Sequence, residues 1–278
     1  MTFKEFLRQF VPHGICEYSV RRHEYMRIGL NPYRASWIAR SQIRYEQMRE
    51  ARLNLVPPPI ISNLRTCVDA GAHSGSWTQS LLSLFHPPRV ILVECEPRMV
   101  GALSAKFSAL SSVKIIDAAL AESEGVAPFH QLRHPAGSSL LHPRTEIRRE
   151  LKAGSWDVVG TVQVNKISYD RLVAAEAEIS ILKLDIQGAE LRVLANSREG
   201  LAKTRCVIME VTFTPHYEND ASFGELHAHM LSREFGLYRI SPPYHRDGRV
   251  LYADAVYVRE ELLQNLSGQP QTASLVAA

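Results

Sequence analysis

The chain has 278 residues, is 45% hydrophobic and carries 32 Lys and Arg against 29 Asp and Glu. That size and apolar content suit one large domain with an appendage, and they exclude a fibrous or wholly disordered chain. The net charge of +3 is uneven: residues 1 to 54 hold ten Lys and Arg and five Glu, so the leader is +5 and the rest −2, which argues against nucleic acid as the partner.

In the leader, Phe3, Phe6, Leu7, Phe10 and Val11 recur at helical spacing, with Thr2 and Glu5 placed as a capping box and Pro12 closing the segment. A helix so short is marginal alone. Its face, through Phe3, Phe6, Leu7 and Phe10, is expected to dock on the main domain or on a second copy in a homo-oligomer, or to rest on a membrane surface. Residues 33 to 54 are charged and helix-prone, and Pro57-Pro58-Pro59 predicts a stiff extended spacer. This divides the chain into a basic helical extension (1–59), a main domain (60–263) and a Gly, Gln, Ser and Ala-rich tail (264–278) expected to be disordered.

The main domain alternates strand and helix. Thr66 to Ala70 reads as a strand, Ser76 to Phe85 as a helix, Arg89 to Glu94 as a second strand. Pro97 opens a helix with Met99, Val100, Leu103, Phe107 and Leu110 on one face, and Val113 to Ala118 is a third strand. Residues 125 to 167 break the rhythm with β-like pieces, Val126 to Leu132 and Val158 to Ile167, around an irregular stretch from Arg133 to Gly154. The order resumes with a strand from Ile179 to Ile186, a helix from Ala189, a strand from Arg205 to Phe213 and a helix led by Ser222 and Glu225. The last strands, Gly236 to Ser241 and Arg249 to Val258, have no helix between them and must pair antiparallel. This is an α/β fold with a mostly parallel sheet covered on both faces. No apolar run approaches the ~20 residues of a membrane span. Cys16, Cys67, Cys95 and Cys206 have no C-x-x-C spacing, which suits a soluble protein of the reducing cytoplasm.

In such a sheet, ligands bind beyond the carboxyl ends of the strands where strand order reverses. Asp69-Ala70-Gly71-Ala72-His73-Ser74-Gly75 follows the first strand, and its glycines admit a ligand close to backbone N–H groups. The loop lacks the G-x-G-x-x-G of dinucleotide folds, and its leading acid suits a cationic sulfonium nucleoside better than NAD. Glu94 and Glu96 end the second strand, where one carboxylate accepts both ribose hydroxyls. Glu96, at the tip, reaches further. Asp117, ending the third strand, is placed to accept from an adenine amino group or to lead a turn. Asp185 leaves the fourth strand beside the first loop and is the first nominee for general base, with His73 and His216 as alternates. Glu210 is an acid inside an apolar run and needs a partner or a cleft. No metal-ligand spacing is visible.

The stretches Val68 to Gly75, Glu94 to Pro97, Ala118 to Glu122, Ser138 to Leu140, Lys183 to Glu190 and Val207 to Val211 resemble the FkbM family of S-adenosylmethionine-dependent methyltransferases. The resemblance covers residues 60 to 260, and Lys-x-Asp-x-x-Gly-Ala-Glu is its most specific piece. It implies a Rossmann-like class I methyltransferase sheet of seven strands with an antiparallel last strand. It also implies S-adenosyl-L-methionine as cofactor, and Asp69, Gly71, Glu96, Asp117 and Asp185 at the cofactor site, beside His73 and Gly75 of the same loop. The expected reaction is O-methylation of a hydroxyl on a sugar, glycan or secondary metabolite. The rivals are an NAD-type oxidoreductase and a non-catalytic nucleotide-binding subunit. Gln187 departs from the Glu usual in the family, and residues 1 to 59 lie outside the shared region.

Overall fold

The computed structural model describes residues 51–146 and 154–267. The expected leader helix, with Phe3, Phe6, Leu7 and Phe10, lies outside them, as does most of the tail. The folding unit that carries the site begins at Leu55, ahead of the boundary expected at residue 60. The triple proline is not an extended spacer. Pro57 is extended, and Pro58 then starts a short helix, Pro58–Ile61, that buries Ile60 and Ile61. Proline fits a first helical turn because its missing N–H would have no partner there.

The first half follows the sequence closely. Strand β1 (Thr66–Ala70), helix α1 (Ser76–Phe85), β2 (Arg89–Glu94), α2 (Pro97–Phe107) and β3 (Val113–Asp117) form two βα repeats and a strand, and β2 pairs in parallel with both β1 and β3. Helix α2 stops at Phe107, short of the expected Leu110, which is 43% exposed. The interruption is a second sheet: β4 (Ala119–Ala121), β5 (Gly125–Leu132) and β6 (Val158–Ser168), with β6 central. The chain then returns through β7 (Ile179–Leu184), α3 (Glu190–Ala195), β8 (Cys206–Thr212), α4 (Phe223–Ser232), β9 (Phe235–Ile240), β10 (Tyr244–Arg246), β11 (Arg249–Arg259) and α5 (Glu260–Ser267).

In the large sheet the order is β3-β2-β1-β7-β8-β11-β9, with β11 antiparallel to both β8 and β9. These are the seven strands expected. An eighth, β10, also pairs with β11, through a hairpin at Asp247 and Gly248, whose φ angles of 50° and 75° are those of a tight two-residue turn. Because β1 lies between β2 and β7, successive connections leave it in opposite directions, which opens the crevice above the β1–β7 boundary.

Strand β1 is buried at all five positions, and β7 at five of six, the exception being Lys183. Val68, Ile91, Leu182, Val207 and Ala255 join one core cluster across the sheet. Burying one such aliphatic side chain contributes about 1.5–3 kcal/mol, so the sheet is a rigid base for loops at its carboxyl edge. Helix α4 carries the expected box: Ser222 Oγ accepts from Glu225 N while Glu225 Oε2 accepts from Ser222 N. Ser222→Ala should lower stability by about 1 kcal/mol in chemical denaturation with no loss of helix α4. Residues 264–267, expected in the disordered tail, complete α5. A Cβ on Gly236 would stand 2.4 Å from Leu263, so α5 lies close against β9. Among the described residues, no helix is long and apolar enough to cross a membrane. Cys67, Cys95 and Cys206 are buried free thiols.

Candidate functional site

The loop between β1 and α1 is shaped by two glycines that bring backbone segments together. Gly71 has φ +70°, and a Cβ there would lie 1.9 Å from the Asp185 carbonyl oxygen. Gly75, also left-handed at φ +68°, caps α1 and leaves room for Phe107, which a Cβ would meet at 2.5 Å. The expected cradle of free N–H groups is not what these glycines make. Gly71 N and Ala72 N both donate to Val93 O, at 3.0 and 3.1 Å, and Gly75 N donates to Ala72 O. The glycines instead permit the approach of loop, β7 end and α2, and thereby fix the floor of the crevice.

The carboxylates divide the same ground. Asp69 is fully buried: Oδ2 accepts from Thr78 Oγ1 at 2.7 Å, and Oδ1 stands 3.1 Å from Lys183 Nζ. It therefore reaches the crevice through Lys183. Glu94 is likewise spent on backbone. Its Oε2 accepts from His73 N at 2.7 Å and its Oε1 from Cys95 N and Glu96 N at 2.8 Å. A carboxylate with three backbone donors ties loop to strand and has little left for a ligand. Glu96 Oε2 caps α2 by accepting from Met99 N, and Oε1 accepts from Gln131 Nε2 at 2.9 Å. Asp117, level with Glu94 on the next strand, is exposed.

Asp185 is the open carboxylate of the crevice. Its side chain is 45% exposed, Oδ2 lies 3.5 Å from Lys183 Nζ, and Oδ1 accepts from Gln187 Nε2 at 2.7 Å. Lys183 Nζ also donates to Gly71 O at 3.0 Å. One ammonium thus joins Asp69, the glycine loop and Asp185. Burial alone would lower the Lys183 pKa, but Asp69 and Asp185 outweigh it and hold the pKa above the ordinary lysine value. Gln187 is held in turn by Tyr217, whose hydroxyl is 2.8 Å from Oε1, and by Ser139 Oγ, which donates to Gln187 O at 2.7 Å.

The two histidines fare differently. His73 takes φ +47° in the loop, and its Nε2 has no hydrogen-bond partner among the described residues. His216 is buried against Trp156 and Tyr252, with ring centroids 5.5 and 5.9 Å away, and burial lowers its pKa to about 4.

Lys183, Gln131, Gln187 and Tyr217 were not among the expected site residues. Lys183 carried the one available signal, a charge inside the apolar run Ile181 to Ile186. Gln187 lies two residues beyond Asp185, while Gln131 and Tyr217 are joined to the site only by tertiary folding.

Behind Asp185 stand acids whose pKa burial raises. Glu190 Oε1 accepts from Ile186 N at 3.0 Å, and burial first, with the charges of Asp220 and Asp185 adding to it, pushes its pKa up to about 8. Burial also raises Asp220 to about 6 and lifts Glu210 well above the carboxylate range, with Asp185, Glu190, Asp254 and Asp220 contributing to the latter. The partner or cleft that its place in an apolar run called for is replaced by acidic surroundings, with Asp254 facing Glu210 on β11.

The sign for stability follows from Glu190. Its folded pKa exceeds its unfolded value, so its favourable contribution is complete below about pH 4.5 and is lost as pH rises toward 8. Glu190→Gln keeps an acceptor for Ile186 N and removes this titration. Its stability relative to wild type should rise between pH 5 and pH 8.5, by on the order of a few kcal/mol in urea titrations.

The profile of the methyltransferase FkbM domain matches residues 69–237. Over 169 residues the chain is 23% identical to the 2-O-methyltransferase NoeI of Sinorhizobium fredii, an alignment covering 58% of this chain and 67% of that protein. A crystal structure of methyltransferase FkbM from Methylobacillus flagellatus superposes with TM-score 0.44 and 14% identity, covering 70% of this chain and 44% of that one. The magnesium protoporphyrin IX methyltransferase of Synechocystis superposes with TM-score 0.43 and 11% identity, over 93% and 98% of the two chains. This chain therefore spans under half the length of the Methylobacillus protein.

Proposed function

We propose that this chain, which belongs to the FkbM methyltransferase family, moves a methyl group from S-adenosyl-L-methionine to a hydroxyl of a sugar, glycan or secondary metabolite. One observation carries the reading: Asp185, half-exposed where strand order reverses, is held by Lys183 and Gln187.

The residues present fit the donor. Glu96 and Asp117 set carboxylates at the ends of β2 and β3, suited to hydroxyl and amine donors of a nucleoside, and Gln131 fixes one oxygen of Glu96. His73 Nε2 is a further polar atom without a partner among the described residues. S-adenosylmethionine, when bound, supplies a methyl carbon already activated by its sulfonium sulfur.

What the protein contributes is placement and a proton acceptor. Orientation can supply about 7–11 kcal/mol of the barrier, and a positioned base about 10²–10⁴-fold in rate. Asp185 would take the proton of the acceptor hydroxyl; the donor, when bound, would supply the methyl carbon to that oxygen and keep the electron pair of the broken carbon–sulfur bond. Lys183 Nζ stands 3.5 Å from that carboxylate. The name of the Sinorhizobium relative, a 2-O-methyltransferase, supports an oxygen acceptor. A ring supports a sugar: Tyr244, stacked on Tyr252 at 5.1 Å, is 47% exposed. Aromatic faces with nearby carboxylates match the apolar faces and hydroxyls of a pyranose.

Gln131→Ala frees one oxygen of Glu96, and S-adenosylmethionine should then bind about two- to tenfold more weakly by calorimetry, on the order of one lost charge-assisted hydrogen bond. Transfer from labelled donor to a panel of glycans and small alcohols tests the function. Label appearing as a methyl ether supports it, and label found only on nitrogen or carbon refutes the hydroxyl acceptor.

A further inference from the structure

We propose that Gln187 is a positioning residue: its side-chain amide orients Asp185, and Tyr217 and Ser139 lock Gln187 in place. The inference rests on the reading of Asp185 as the proton acceptor and goes beyond it to what holds that carboxylate in place.

Gln187 occupies the left-handed region at φ +56° and is followed by Gly188 at φ +95°. A non-glycine residue there costs of order 1 kcal/mol and persists only where its surroundings over-determine it. Two contacts on Gln187 do so: Ser139 Oγ donates to Gln187 O at 2.7 Å, and the Tyr217 hydroxyl, with one proton for two acceptors, lies 2.8 Å from Gln187 Oε1 and 2.7 Å from Gly137 O. The Tyr217 ring also fills the space a Cβ on Gly188 would need, 2.8 Å away. The segment after β5 and the loop after β8 thus close on one glutamine.

The lock has a direction. Ionised Asp185 can only accept, so Gln187 must turn Nε2 toward it, which leaves Oε1 for the Tyr217 hydroxyl. Gln187 then donates to Asp185 Oδ1 at 2.7 Å while Lys183 attends Oδ2 at 3.5 Å. Each carboxylate oxygen has one donor, and the exposed part of the group is left for an acceptor hydroxyl.

The charged and titratable groups around Asp185 are Lys183 on its own strand, Glu190 of α3, Glu210 of β8 and Tyr217, with Asp220 and Asp254 against Glu210 and Asp69 behind Lys183. The acids around it oppose a further negative charge. Only Lys183 and Gln187 among these contacts favour one, and Gln187 does so without a charge of its own. A glutamate at this position has no N–H to give. Two carboxyl groups at 2.7 Å cannot both ionise, so they retain one proton between them.

The test is the pH dependence of kcat for wild type, Gln187→Glu and Tyr217→Phe, with donor KM and a carbon-13 NMR titration of the Asp185 carboxyl in each. Gln187→Glu should move the acid limb of kcat upward by about one pH unit or more, giving about a tenfold loss at pH 7 that is recovered at high pH. Donor KM should stay within about twofold, and the Asp185 carboxyl signal should move with the limb. Tyr217→Phe, which keeps the ring and frees the amide to turn, should shift the limb in the same direction by less. If Gln187→Glu fails to fold, Tyr217→Phe decides. A limb and a carboxyl titration both unmoved in the folded variants overturn the inference. A wild type that binds no donor and transfers no methyl group overturns the proposed function instead, and the NMR titration still reports on the latch.

Discussion

Asp185→Asn should reduce kcat by about 10²–10⁴-fold while leaving the affinity for S-adenosylmethionine within a few-fold of wild type. The change removes the proton acceptor and one negative charge but keeps the shape of a side chain that is 45% exposed. The backbone that shapes the crevice floor is untouched, since Asp185 N still donates to Ala70 O. Single-turnover kinetics with calorimetry of donor binding separate the two effects. Unchanged turnover removes Asp185 from the role of base, and parallel loss of donor binding makes it a binding residue instead.

The second large effect belongs to Lys183→Met. Asp69 is fully buried on β1 with Lys183 as its cationic partner at 3.1 Å, and the same ammonium reaches Gly71 O and Asp185. Removing one partner of a buried ion pair leaves the other charge uncompensated and costs about 3–5 kcal/mol. Lys183→Met should therefore lower stability by about that much in denaturant titrations, and it should also lower turnover in whatever fraction folds. The double variant Lys183→Met/Asp69→Asn removes both charges, so it should regain much of the stability without regaining activity. That split separates the structural duty of the pair from its duty toward Asp185.

The alternation of apolar runs with helical periods was enough to read the parallel sheet, because buried parallel strands need near-continuous apolar residues. The antiparallel pairing of β9 and β11 was legible for the same kind of reason, since no crossover helix separates them. β10 was not, because a three-residue strand carries too little pattern to stand out beside Pro242 and Pro243. The terminal helix α5 was missed because its apolar residues, Leu262, Leu263 and Leu266, run into a tail whose composition suggests disorder.

At the site, sequence order located Asp185 and the glycine loop, since both follow strands of recognisable type. It could not say which acids the protein uses on itself. Asp69 is expected at the cofactor site and strand pattern does not separate Glu94 from Glu96; in the fold Thr78 and Lys183 hold Asp69, and three backbone N–H groups hold Glu94. Glycine spacing likewise could not reveal that Gly71 N and Ala72 N turn to Val93 O. Gln131 and Tyr217, 35 and 30 residues from their partners Glu96 and Gln187, are joined to the site by the second sheet and the loop after β8. No local pattern encodes such pairings.

The central claim is that the crevice above β1, β2 and β7 receives S-adenosylmethionine as methyl donor, and calorimetric titration of the purified chain tests it most directly. The expected result is saturable binding of S-adenosylmethionine, weakened at least about tenfold by Glu96→Ala, with no heat from NAD. Saturable binding of NAD, or no binding of S-adenosylmethionine at millimolar concentration, would contradict it.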